Sequence, residues 1–180
     1  MKFTTKFLAR TAVLLGLTVL FQSLRQIVPM PPSIAIYIVG SLVNLSLIIA
    51  AIFAGWEGGT IISIIAPLIA FLQGHIRGDM PFLAVAIAIG NISIVVTVYL
   101  LYKKNKFLAI GAGALVKFIV LYLSIIRLVL PVIYPNIPDQ IKAVLSVNYS
   151  WIQLVTALIG GILALLVVPV LDKALDGPKE

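Results

Sequence analysis

Six long apolar runs dominate this 180-residue chain, each near the ~20 residues a helix needs to cross a ~30 Å hydrocarbon core. Lipid offers the backbone no hydrogen bonds, so only helices and closed barrels can span it. A barrel strand alternates apolar and polar residues over about ten positions. These runs are uninterrupted instead, which selects helices. The expected fold class is an all-α integral membrane protein, a six-transmembrane-helix bundle. With 62% hydrophobic and only 11% charged residues, little is left for a water-soluble part, so residues 1–180 read as a single membrane domain.

Punctuation places the helices at approximately 7–28, 33–54, 60–73, 81–102, 107–130 and 149–171. Pro29, Pro31 and Pro32 stop the first, because proline lacks the N–H and clashes with the preceding turn. Gly55-Trp56-Glu57-Gly58-Gly59 reads as a tight, flexible connection. Pro81 suits the first turn of the fourth helix. Between the fifth and sixth runs, Ile141, Val144 and Leu145 recur at helical spacing and predict a short amphipathic helix at the interface. Lys2, Lys6 and Arg10 before an apolar run imitate a signal peptide. That run is too long and lacks a small-residue cleavage site, so it reads as a retained first helix.

The charge of +7 is distributed as topology signals rather than as a nucleic-acid-binding face. With the N-terminus inside, Lys2, Lys6, Arg10, Lys103, Lys104, Lys106, Lys173 and Lys179 fall on one side; Arg25, Arg77, Arg127 and Lys142 fall on the other. Both termini are therefore expected in the cytoplasm, and a binding site is expected to open outward. The absence of cysteine excludes thiolate chemistry, and one histidine excludes an ordinary multi-histidine metal site. No triad, carboxylate pair or phosphate-cradling loop is present. An enzyme is not expected, nor is a cofactor.

Lys117 carries the most information. It lies about eleven residues into the fifth helix, near mid-bilayer, where a charge costs at least ~2.5–3.5 kcal/mol on insertion scales. No acid lies at matching depth. Either it snorkels or binds carbonyls, or it lines an outward cavity that takes an anionic or carbonyl-bearing ligand. Arg127, near the outer end of that helix, is an interface anchor or a second ligand contact. Asn91, on a face with Ala84 and Ala88, is packing glue or a cavity wall; Asn44 reads more as packing. Asn148 and Trp151 share a face near the outer end of the last helix, as a belt or as an aromatic wall. His75 and Arg77, beside Gly74 and Gly78, form a solvated loop or a polar lid. The candidate substrate-binding set is thus Lys117, Arg127, Asn91, Asn148, Trp151, Arg77 and His75.

Small residues recur at four-residue spacing, as in Ala12 and Gly16, and allow close helix approach in lipid. With six helices, both ends inside, the segments Gly40-Ser41-Leu42-Val43-Asn44 and Pro81-Phe82, and Gly90-Asn91, the chain resembles the substrate-binding S components of energy-coupling factor (ECF) vitamin transporters. The resemblance implies capture of a water-soluble vitamin or related micronutrient from outside and docking on a membrane T subunit attached to two ATPases. It also implies that Ala12 and Gly16, in place of the family's A-x-x-x-A, face the T subunit. The host would be the plasma membrane of a bacterium, which the chain crosses several times. The excess of cations points to a carboxylate or phosphate on the ligand. The alternative is a scaffold membrane protein, such as a cell-shape factor, in which Lys117 and Asn91 lock helices together.

Overall fold

The computed structural model describes residues 4–176, with side chains as far as residue 174; Lys2 and Lys179 lie outside the described residues. Helix α1 spans Thr5–Ile27, α2 Pro32–Phe53, α3 Gly55–Leu72, α4 Phe82–Leu101 and α5 Lys106–Leu121. A π-helical segment, Tyr122–Ile133, continues α5, and α6 (Asp139–Asn148) and α7 (Trp151–Asp176) complete the chain. Six helical stretches are long and apolar enough to cross a membrane, and the described residues contain no strand.

Local chemistry sets several ends. Thr4 Oγ1 accepts from the Phe7 N–H at 3.2 Å, and Asn105 Oδ1 from the Leu108 N–H at 3.0 Å, each satisfying a first-turn donor that has no helical partner. Pro32 begins α2, where its missing N–H costs nothing. The break before α3 is shorter than the glycine-rich stretch suggests. Only Gly55, at φ +75°, turns the chain; residues 56–59 are already helical. Gly58 and Gly59 serve contact rather than flexibility: a Cβ on Gly59 would stand 2.5 Å from Val95 Cγ1. The π segment contains Pro131, which brings no N–H to the ladder, and the Tyr134 N–H closes it by reaching Val129 O at 3.2 Å. The predicted amphipathic helix is α6, with Leu145 buried, Ile141 half-buried and Val144 exposed.

Helix α2 is the axis of the bundle. It packs most extensively on α7 and also touches α1, α3 and α4. Every residue from Asn44 to Ala51 is buried, which requires neighbours on all sides. Close approach to α7 depends on Gly160, where a Cβ would meet Ser41 O at 2.6 Å. One core, with Leu47, Ile48, Ile94 and Val98, fills the half of the bundle near the α4–α5 turn. A second, with Met80, Leu83, Leu121 and Ile125, lies beneath the opposite loops. Large apolar side chains such as Val13, Leu72 and Phe107 face outward, as lipid contact demands. Lys103, Lys104 and Lys106 gather at the α4–α5 end. At the same end Arg10 Nη1 donates to the last-turn carbonyl of Phe53 at 2.9 Å.

Candidate functional site

The half of the bundle away from the lysine turn contains a cavity of about 130 Å³. Its floor is polar and comes from three helices. Lys117, 3% exposed, extends from mid-α5 and its Nζ donates to Asn44 Oδ1 of α2 at 2.7 Å and to Asn91 Oδ1 of α4 at 2.8 Å. The ammonium thereby fixes both amides with their oxygens toward it, which leaves their NH2 groups pointing elsewhere. Asn44 Nδ2 is spent on Gly40 O at 2.9 Å and Thr156 Oγ1 at 3.3 Å, which ties α7 to the same network. Asn91 Nδ2 has no acceptor among the described residues.

The rim is built from α1, the α3–α4 loop and the start of α7. Gln22, one turn before Arg25, donates through Nε2 to Ala66 O at 3.2 Å and so anchors α1 to α3. Its Oε1, the Arg25 Nε and the His75 Nε2 are all buried without a protein partner. His75 is placed by Gly74, at φ +76°, and by its own N–H bonding Ala70 O at 2.9 Å. Burial first, and then the nearby Arg25, hold its imidazole below the ordinary value, so the neutral form is favoured. Tyr149 and Gln153 close the α7 side, with Gln153 Nε2 held by Asn148 O at 3.1 Å. Between floor and rim the walls are apolar: Val39, Val43, Pro67, Ala70 and Ile87. Among the described residues no carboxylate lines the cavity, although two cationic side chains do.

The structure brings Lys117, Asn91 and His75 to this one cavity. Arg77 and Asn148 line an adjoining recess of about 360 Å³, which shares His75, Ile76 and Tyr149 with it. Arg77 is engaged there in a fork with Asp79, Nη2–Oδ2 2.9 Å and Nε–Oδ1 3.0 Å, both groups being exposed. That pairing holds Asp79 below, and Arg77 above, their ordinary values. Arg127 and Trp151 lie elsewhere. Arg127 sits over the Tyr122 ring at 5.4 Å, and Trp151, 67% exposed, stacks on Phe118 at 5.5 Å. Ala12 and Gly16 are both exposed on α1, and a side chain at Gly16 would meet nothing within 4 Å.

Sequence reasoning gave Asn44 a packing role and Arg25 only a topological one, and it passed over Gln22 and Gln153. A signal existed in α1: a glutamine inside an apolar span, with an arginine three residues on, puts two polar groups on one helix face.

A family model described as ECF transporter, substrate-specific component, matches residues 6–171. Searches of curated proteins and of solved structures gave no match.

Proposed function

Because the chain belongs to the substrate-specific components of ECF transporters, multi-pass membrane proteins that bind substrate and are not enzymes, we propose that it captures a small vitamin-like micronutrient carrying a carboxylate, phosphate or comparable acceptor. Capture is from the extracellular face of a bacterial plasma membrane, with both termini in the cytoplasm. Delivery is through a membrane T subunit driven by two ATPases. The loops over the cavity then face outward and the lysine-rich α4–α5 turn faces the cytoplasm, which agrees with the bias of positive charge toward cytoplasmic loops.

One observation carries the reading: the Lys117 ammonium lines a cavity in which the described residues place no carboxylate to neutralise it. A buried charge is retained at a cost and generally faces a cavity or partner. Its two amide acceptors orient it and leave the third N–H available. Lys117 and Asn91 are thus assigned to the ligand's polar group, and His75 to the mouth. Arg77 and Asn148 take the approach to the mouth. Arg127 and Trp151 brace the outer ends of their helices. Ala12 and Gly16 present the face of α1 that meets the T subunit, where small residues permit close approach.

The scaffold alternative draws on the same network, since Lys117 joins α2, α4 and α5. The three unpartnered polar atoms at the rim favour a ligand instead. The decisive measurement is thermal unfolding of purified protein against a panel of vitamins and related acids. Stabilisation by one compound, lost in Lys117→Met, is expected. Stabilisation by none would favour the scaffold.

A further inference from the structure

Resting on that transport reading, we infer that the ligand is a compact molecule with an acidic group at each end of an apolar middle. The cavity has two separate polar ends, a floor of donors and a rim whose cation is Arg25, with the unpartnered Gln22 Oε1 beside it. At the floor, the third N–H of Lys117 and the free Nδ2 of Asn91 are both donors, because each asparagine oxygen is already taken by the ammonium. The floor therefore presents two donors to an oxygen pair. At the rim, Arg25 has no hydrogen-bond acceptor among the described residues, and its Nε is buried. A guanidinium of this kind is suited to a carboxylate taken by two parallel N–H bonds. His75 Nε2 stands beside it, also unpartnered.

The two ends lie at different depths. Arg25 is two residues from the end of α1, and Asn44 is twelve residues from the start of α2. At 1.5 Å per residue that separates their backbones by about 15 Å along the bundle. Helical side chains tilt toward the N-terminus, so Arg25 leans into the bundle and shortens the gap. What lies between is apolar, contributed by Val39, Val43, Pro67 and Ile87. A polar middle would leave its own groups unpaired there. The volume of about 130 Å³ takes in floor and rim together and is close to the roughly 150 Å³ of a cavity that holds benzene, so the whole ligand is compact and its middle short. A single anion would leave one of two cations without a counter-charge, since no acid among the described residues lines the cavity.

The test uses the full chain purified in detergent and titrated calorimetrically at neutral pH. Probes are the straight-chain dicarboxylates from succinate to azelate, the benzenedicarboxylates, and the matching monocarboxylates and diamides. One dicarboxylate is expected to bind at least about tenfold more tightly than its monoacid and its diamide. Arg25→Gln is expected to lower diacid affinity far more than monoacid affinity, bringing the two to within about twofold, and Lys117→Met to weaken both. Circular dichroism and thermal unfolding of each variant separate lost binding from lost fold. A monoacid that binds as tightly as its diacid, or a diacid preference that survives Arg25→Gln, overturns the inference. Stabilisation by a neutral micronutrient, with none of the acids binding, overturns the inference and leaves the transport reading standing; stabilisation by nothing removes both.

Discussion

Replacing Asn91 with leucine, alone and beside Lys117→Met, tests whether the floor network is a coupled unit. The substitution is close to isosteric, so it adds little strain in a core that punishes changes of volume. It deletes the 2.8 Å bond from the Lys117 ammonium and leaves only the 2.7 Å bond to Asn44. Interhelical hydrogen bonds in membranes average ~0.6 kcal/mol with a maximum near ~1.7. Bonds to charged groups lie at the strong end, so we take about 1.5 kcal/mol here. At roughly 2–4 °C per kcal/mol for a chain of this size, the melting temperature should fall by about 3–6 °C. With methionine at 117 the picture changes: the Asn91 oxygen has no donor, and a buried amide without one is itself a liability of about 1–3 kcal/mol. In that background Asn91→Leu should be neutral or stabilising. The double-mutant cycle, read from thermal unfolding in one detergent, should therefore show a coupling of about 1.5 kcal/mol or more. Costs equal in the two backgrounds to within about 0.5 kcal/mol would refute the network and the orientation of Asn91 drawn from it.

Other expectations follow from separate parts of the molecule. Gly59→Ala drives a Cβ to within 2.5 Å of Val95 Cγ1 and should cost about 1–3 kcal/mol, recovered in large part by Val95→Ala; thermal unfolding of the pair decides. Gly16→Leu meets nothing within 4 Å in the isolated chain, so it should leave folding and ligand binding intact while abolishing uptake by the assembled transporter, measured in cells; undiminished uptake would remove this face from the partner interface. The native sequence has no cysteine, so Lys104→Cys and Gly78→Cys can be labelled singly. A membrane-impermeant maleimide applied to whole cells should label the second and spare the first. His75 gives a pH dependence of defined sign. Its folded-state value is lowered by burial and then by Arg25, so the unfolded chain takes up the proton first as pH falls. Its contribution should be fully present above the ordinary value of 6.5 and lost as pH drops through the lower folded value, and His75→Gln should flatten that decline.

The sequence carried the architecture because bilayer thickness acts on each segment separately. Run length alone indicates a spanning helix, and prolines and capping residues mark its ends, with no reference to any other segment. The buried lysine was legible for the same reason: its cost depends on depth, and depth is a matter of counting along one helix. Partnership is different. Whether Asn44 is glue or floor, whether Arg25 faces lipid or the rim, and whether Gly59 bends or admits Val95 all depend on which helix stands opposite and at what rotation. Rotation is set by packing across α2, α4, α5 and α7, a property of pairs that no single run contains. Arg127 and Trp151 show the converse: residue type alone made each a candidate wall, and the bundle sets each against an aromatic neighbour. One-dimensional hydropathy fixes how deep a side chain lies, and only the assembled bundle decides which way it points.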